Sequence, residues 1–257
     1  MKAVLLAGGL GTRMREETEF RPKPMVEVGG RPVLWHIMKL LGQQGLEEFV
    51  VCTGYKSEII KHYFLNYLAL NQDFTVSLGD RLSIDYHGAH DESDWTVTVA
   101  DTGASTMTGG RIRRIRSFVE GERFLCTYGD GIADIDLDAL LAFHESHGRI
   151  ATVTAVQPES RFGVIDLEDD GIVRRFKEKP QMDGWINIGY FIFEPEIFDY
   201  LDGDATVLEQ EPLMRLAEDG QIAAYQHTGF WQPMDTYRES QLLNDLWESG
   251  NAPWRSW

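Results

Sequence analysis

Ala3-Val4-Leu5-Leu6-Ala7 runs directly into Gly8-Gly9-Leu10-Gly11-Thr12-Arg13. An unbroken apolar run without polar alternation suits a strand covered on both faces, as in a parallel sheet. Glycines immediately afterwards let backbone N–H groups converge on an anion, because no Cβ blocks the approach. The carboxyl end of such a strand is where α/β proteins bind ligands, and phosphate is the expected anion. Two common phosphate loops are excluded. No Gly-Lys pair occurs in the chain, so GxxxxGK[ST] is absent, and a GxGxxG fingerprint started at Gly9 would need glycine where Met14 stands. Arg13, two residues past the last glycine, suits a bidentate grip on a polyphosphate.

Outward from this stretch, the pattern continues as an α/β chain. Pro32 is expected as the first residue of a helix over 33–41, closed by Gly42 and Gly45. Residues 49–53 form a second buried strand. Ser57 then caps a helix that carries Ile59, Ile60, Tyr63 and Phe64 on one face. Strand, helix, strand, helix at this spacing predicts a parallel sheet with crossover helices. Stretches 74–78, 82–86 and 95–100 alternate as half-exposed strands, with a polar loop holding His87 and His90 before the last. A basic amphipathic helix is predicted over 109–119, a buried strand over 124–128 and a helix over 136–147. The second half reads as strands at 151–156, 163–167, 172–177 and 186–193, completing the first sheet, with helices over 208–217 and 236–247. No linker or repeat interrupts the chain, so one α/β domain spans 1–257.

The chain carries 24 Lys+Arg against 41 Asp+Glu, a formal net charge of −17. Such acidity repels duplex nucleic acid and anionic membrane. The excess lies in the second half: residues 1–130 hold 15 basic and 17 acidic side chains, and residues 131–257 hold 9 and 24. The near-neutral half is the one with the glycine loop, Arg13 and Lys23. No stretch approaches the ~20 apolar residues of a membrane span, and MKAVLLAGG is too short for a signal-peptide core, so a cytoplasmic protein is expected. Cys52 and Cys126 sit in apolar runs and read as buried reduced thiols.

LAGGLGTR (6–13), Pro22-Lys23-Pro24-Met25, Tyr128-Gly129-Asp130-Gly131, Phe176-Lys177-Glu178-Lys179-Pro180 and Trp231-Gln232-Pro233-Met234-Asp235-Thr236 occur in this order. Together they resemble the sugar-phosphate nucleotidyltransferase family over essentially the whole chain. The resemblance implies a Rossmann-like, mixed, mostly parallel sheet flanked by helices, of the nucleotide-diphospho-sugar transferase type. The nucleotide part would cover about 1–135 and the sugar-phosphate part about 136–257. The stretch 101–111, Arg161-Phe162-Gly163, GFWQPMDT and the APW ending are closest to members that use CTP and glucose 1-phosphate. The implied reaction gives CDP-glucose and pyrophosphate, supplying deoxysugars for surface polysaccharide such as O-antigen. Self-association is implied too, with Trp247, Trp254, Trp257 and 63–67 as candidate contacts. Core packing explains those aromatics equally well.

Residue by residue, the resemblance assigns Arg13 to the β- and γ-phosphates and Lys23 to the reacting phosphates. Leu6, Ala7, Gly8, Gly9, Gly11, Thr12 and Gly129 would touch nucleotide. Asp130 and Asp235 would hold Mg²⁺, with a turn aspartate and a helix N-cap as their respective structural alternatives. Gly163, Glu178, Lys179 and Asn187 would receive the sugar phosphate. Where related thymidylyl and uridylyl enzymes use glutamine to read the base, this chain has Ser105-Thr106-Met107-Thr108-Gly109-Gly110; Ser105, Thr108 and Gly110 would touch nucleotide, the last two at the pyrimidine edge, with Arg111 beside it. Arg111, Arg113, Arg114 and Arg116 are otherwise expected on a solvated face or a subunit contact. Three rivals remain: a uridylyl- or thymidylyltransferase, a non-catalytic nucleotide-sugar sensor, and a dehydrogenase. The sensor is disfavoured by the presence of Arg13, Lys23, Asp130 and Asp235, and the dehydrogenase by the missing third glycine.

Overall fold

The structure is a computed structural model. It describes residues 1–79, 83–160 and 162–257, with the backbone alone for Arg13, Arg15 and Glu16. Leu82 and Arg161 therefore lie outside the described residues. A seven-stranded sheet organises the chain: β1 (Lys2–Leu6), β2 (Glu48–Thr53), β3 (Thr96–Asp101), β4 (Phe124–Tyr128), β5 (Ala151–Val156), β6 (Ile186–Phe193) and β7 (Ile222–Gln226). Their spatial order is β7-β5-β6-β4-β1-β2-β3. β3, β2, β1 and β4 run parallel, β6 is antiparallel to both β4 and β5, and β7 is parallel to β5. The expected mixed, mostly parallel sheet is thus observed, joined by strands from both halves. β7 adds an edge that the sequence pattern did not reveal.

Both faces of the central strands are covered, which explains the unbroken apolar run that opens the chain. Ala3 and Leu5 point into one core with α1 (Val33–Gly42) and α4 (Leu137–His147). Val4 and Leu6 point into the other with Ile112, Phe191 and Leu216. Cys52 and Cys126 lie wholly buried in this second core as free thiols. Burial pushes the Cys52 thiol up to about 12, so it stays protonated and inert. Among the described residues no helix is long and apolar enough to cross a membrane.

Several boundaries differ from expectation for local reasons. Pro32 belongs to a two-residue strand and stands just outside α1 as its cap residue. Ser57 is the first residue of α2 (Ser57–Leu65), and the cap position belongs to Lys56 in a left-handed conformation. Ile60 and Tyr63 bury the predicted face, with Ile59 and Phe64 packed beside them. The basic helix is two pieces, α3 (Thr108–Arg114) and Arg116–Val119, broken at Ile115. The helix expected from 208 begins at Glu211, with Pro212 in its first turn, where its missing N–H costs nothing, and with Leu208 buried in the core ahead of it. Strands Val164–Leu167 and Val173–Lys177 form a separate hairpin outside the main sheet, as do Asp73–Ser77 and Ser83–His87.

The C-terminal segment is part of the core. Trp254 is fully buried, stacks on Phe230 and donates its indole N–H to His36 Nδ1 at 3.3 Å. His36 Nε2 then donates to the Val28 carbonyl at 2.8 Å, which fixes a neutral tautomer. Burial holds its pKa down at about 4. Trp254→Ala is expected to cost about 3–5 kcal/mol by cavity formation, read by denaturant unfolding. A loss below about 1 kcal/mol would show that the end of the chain docks without contributing to the core.

Candidate active site

The carboxyl ends of β1 and β4 open onto a cavity of about 790 Å³. Leu6, Gly8, Gly9, Gly11, Thr12, Lys23, Ser105, Thr108, Arg111, Asp130, Asn187 and Asp235 all line it. These residues span the sequence from 6 to 235, and the fold brings them together.

The glycine loop is held from beneath by Arg111. Its guanidinium is buried and donates to the carbonyls of Gly8 (2.8 Å), Thr53 (3.0 Å) and Gly103 (2.9 Å), and to Thr102 Oγ1 at 2.7 Å. Gly8 is glycine because of this contact: a Cβ there would stand 2.1 Å from Arg111 Nη1. Gly9 is different, since a Cβ would meet no protein atom within 4 Å and would fill the cavity instead. Gly11 adopts φ +61°, and the turn Thr12–Met14 follows at the rim. The Arg13 side chain lies outside the described residues. Arg111 therefore departs from the expected solvated face, whereas Arg113, Arg114 and Arg116 are exposed.

Two separate devices bring the predicted carboxylates onto one point. Strand Trp231–Pro233 pairs with Gly131–Ala133, and Met234 donates its N–H to the Asp130 carbonyl at 2.9 Å. A capping box on Thr236 and Glu239 then starts α5 (Tyr237–Glu248), and Asp235 N–H donates to Glu239 Oε2 at 2.8 Å. The helix cap is thus Thr236, which leaves the Asp235 carboxylate facing the cavity. Lys23 Nζ lies 2.5 Å from both Asp130 Oδ2 and Asp235 Oδ1. Its backbone is set by Pro22 and by a tight turn over Lys23–Met25. Gly129 permits this seat, because a Cβ there would come within 3.0 Å of Pro24. Burial opposes the ammonium charge, but Asp130 and Asp235 overcome it and hold the pKa above the ordinary lysine value.

The opposite wall contains residues the sequence reading did not single out. Glu209 accepts hydrogen bonds from the Tyr128 hydroxyl and, at 2.7 Å, from Thr108 Oγ1. Burial and Glu209 together push the Tyr128 phenol pKa upward. Tyr128 also presses on Gly189, whose φ of +83° and lack of Cβ are both required there. Asn187 Oδ1 accepts from Gly189 N–H at 2.7 Å. Trp231 adds a buried indole N–H without a protein partner beside Gly131. Tyr128 and Trp231 stood inside quoted motifs; Glu209 had no local signal.

The remaining predicted residues stand back from the cavity lining. Ala7 is buried beneath it and donates to the Cys52 carbonyl. Gly110 packs on Asp204 and donates its N–H to Thr206. Gly163, Glu178 and Lys179 belong to the exposed hairpin, where Gly163 makes room for Phe176 and Glu178. Lys179 holds φ +44°, one of two non-glycine residues in that region among those described. Such strain is retained where surrounding structure enforces it, often at functional sites.

Comparison with known proteins agrees with this arrangement. The Nucleotidyl transferase family matches residues 2–232. A glucose-1-phosphate cytidylyltransferase of Salmonella typhi is 51% identical over 259 aligned positions, covering 100% of both chains. A probable glucose-1-phosphate cytidylyltransferase of Bacillus subtilis is 43% identical, again over 100% of each. In fold, the chain resembles HddC from Yersinia pseudotuberculosis with a TM-score of 0.70 at 22% identity, covering 96% of this chain and 99% of that one. With its mixed sheet, glycine loop and paired carboxylates in one cavity, the chain belongs to the Nucleotidyl transferase family.

Proposed function

We propose that this protein is a glucose-1-phosphate cytidylyltransferase, joining CTP and α-D-glucose 1-phosphate into CDP-glucose with release of pyrophosphate. The observation that carries this reading is the 51% identity to the Salmonella typhi enzyme along the full length of both chains. Incubating the protein with CTP, glucose 1-phosphate and Mg²⁺ should yield CDP-glucose and pyrophosphate in equal amounts. Absence of CDP-glucose would refute it.

The chemistry needs a sugar-phosphate oxygen to attack the α-phosphorus of CTP as the bond from that phosphorus to the β-phosphate oxygen breaks. The nucleophile is already ionised, so no covalent enzyme intermediate and no general base is required. What the protein must supply is alignment and neutralisation of crowded anions. In this reading the glycine loop and Arg13 hold the triphosphate, and Lys23 neutralises charge at the reacting phosphates. Asn187 orients the sugar phosphate from the cavity wall, and Glu178 and Lys179, on the exposed hairpin outside that lining, are proposed to meet it from there. Asp130 and Asp235 suit Mg²⁺, which takes one or two carboxylates plus substrate oxygens rather than an all-protein cage. Bound there, the metal would supply charge neutralisation at the phosphates. Lys179→Ala should raise KM for glucose 1-phosphate several-fold with little change for CTP. An unchanged KM would remove Lys179 from the sugar-phosphate site.

We read the 257 residues as one domain, cytoplasmic and self-associating. Support for self-association comes from the two hairpins outside the main sheet. Phe74 faces Tyr86 and Val76 faces Ile84 on one; Ile165 faces Phe176 and Leu167 faces Val173 on the other. Phe74, Val76, Ile84, Ile165, Leu167, Val173 and Phe176 are all exposed. Two-stranded hairpins need further packing to be stable, and exposed apolar faces mark contact surfaces. Sedimentation equilibrium should give a multiple of the chain mass, and a purely monomeric protein would contradict this reading.

A further inference from the structure

We propose that Lys23 is an exchangeable counter-cation: its ammonium occupies the divalent cation's place between Asp130 and Asp235, and leaves it for the phosphates when metal binds. The inference rests on the reading of those two carboxylates as the metal pair, and adds how the chain prepares them.

The geometry leaves little choice. Lys23 Nζ is 2.5 Å from one oxygen of each carboxylate, so those two oxygens lie at most 5.0 Å apart. Octahedral Mg²⁺ holds its ligands at about 2.0–2.1 Å, so two carboxylate oxygens on one ion are separated by at most about 4.2 Å. The carboxylates therefore stand nearly at metal-binding separation already, held there by an organic cation. Metal and ammonium cannot share the position, because like charges at such a distance repel strongly.

The two partners differ in freedom. All three backbones are fixed, those of Asp130 and Asp235 by the strand pairing and helix cap described above and that of Lys23 by Pro22 and its turn, and each aspartate carboxylate sits on a single side-chain carbon. The lysine side chain is four flexible carbons ending in a rotatable ammonium, so it is the element able to move. Its residue is only 7% exposed, so a displaced ammonium must find another anion nearby. The same cavity is lined by Gly8, Gly9, Gly11 and Thr12, where the nucleotide's phosphates are read to sit. Lys23 thus opposes metal in the empty site and favours it once phosphates arrive, which makes metal and nucleotide binding mutually supportive.

The test is a Mn²⁺ titration of the nucleotide-free full chain, reading free Mn²⁺ by electron paramagnetic resonance, for the unaltered protein and Lys23→Met. Methionine keeps the apolar stem and removes the charge. The exchange predicts that Lys23→Met binds Mn²⁺ at least about 10-fold more tightly, within the usual range of coupling between sites. Equal or weaker binding, or no Mn²⁺ bound by either protein, overturns it. Should Lys23→Met not fold, crystals of the unaltered protein soaked in Mn²⁺ decide. Metal on both carboxylates with the ammonium displaced supports the exchange; an ammonium still bonded to both overturns it. Neither experiment needs turnover, so failure of the cytidylyl reading would appear separately, as absence of CDP-glucose.

Discussion

Asp130→Asn is expected to lower kcat at least about 100-fold while the protein stays folded. One charge-stabilising contact at the reacting centre is typically worth about 3–4 kcal/mol in the transition state. Asparagine keeps the shape but halves the acidic pair that closes on Lys23. The backbone duties of residue 130 are untouched, because Met234 bonds to its carbonyl and not to its side chain. Asp235 still pairs the buried ammonium, so Tm should fall by only a few degrees while steady-state activity collapses. Activity within a few-fold of the parent would remove Asp130 from the metal pair and leave it as a turn aspartate.

Arg111→Leu is expected to fail in the opposite way, through the scaffold. The guanidinium donates to three carbonyls and one hydroxyl, tying the glycine loop to the ends of β2 and β3. Leucine fills part of the space and satisfies none of them. The Gly8 carbonyl keeps the Tyr55 N–H and the Thr53 carbonyl keeps Thr102, so the cost comes mainly from the lost charge-assisted hydrogen bonds, about 1.5–3 kcal/mol each before relaxation, and a net loss of about 3–5 kcal/mol is expected. For a chain of this size that lowers Tm by on the order of 10 °C. Denaturant unfolding measures it directly. A loss under about 1 kcal/mol would show that water replaces the guanidinium without cost, and that the loop does not depend on it.

These two residues mark where the sequence could be read and where it could not. Asp130 was legible because its signal is local: a buried strand, then Gly-Asp-Gly at the strand's carboxyl end. Lys23 and Asp235 carry local signals of the same kind, prolines on either side of one and a helix start after the other. The first parallel strands were legible because both their faces are buried. Arg111 was expected beside the nucleotide and does line the cavity, but its role as the buried anchor of the glycine loop had no local signal, because an arginine-rich helix reads as a solvated face and only tertiary packing turns one of its four arginines inward. Glu209 and Tyr128 meet across 81 positions of sequence, so their pairing has no local trace. Strand Ile222–Gln226 is short and only partly buried, which weakens its pattern. Both halves line one cavity: the near-neutral half supplies the glycine loop, Lys23, Arg111 and Asp130, and the acidic half supplies Asn187, Glu209 and Asp235.

The central claim is the nucleotide. Pyrophosphate release should be measured with glucose 1-phosphate and Mg²⁺ against CTP, UTP, dTTP, ATP and GTP in turn, and kcat/KM compared. CTP should exceed every other nucleotide by at least about tenfold, a difference of roughly 1.4 kcal/mol in transition-state binding. A tenfold preference for UTP or dTTP would contradict it.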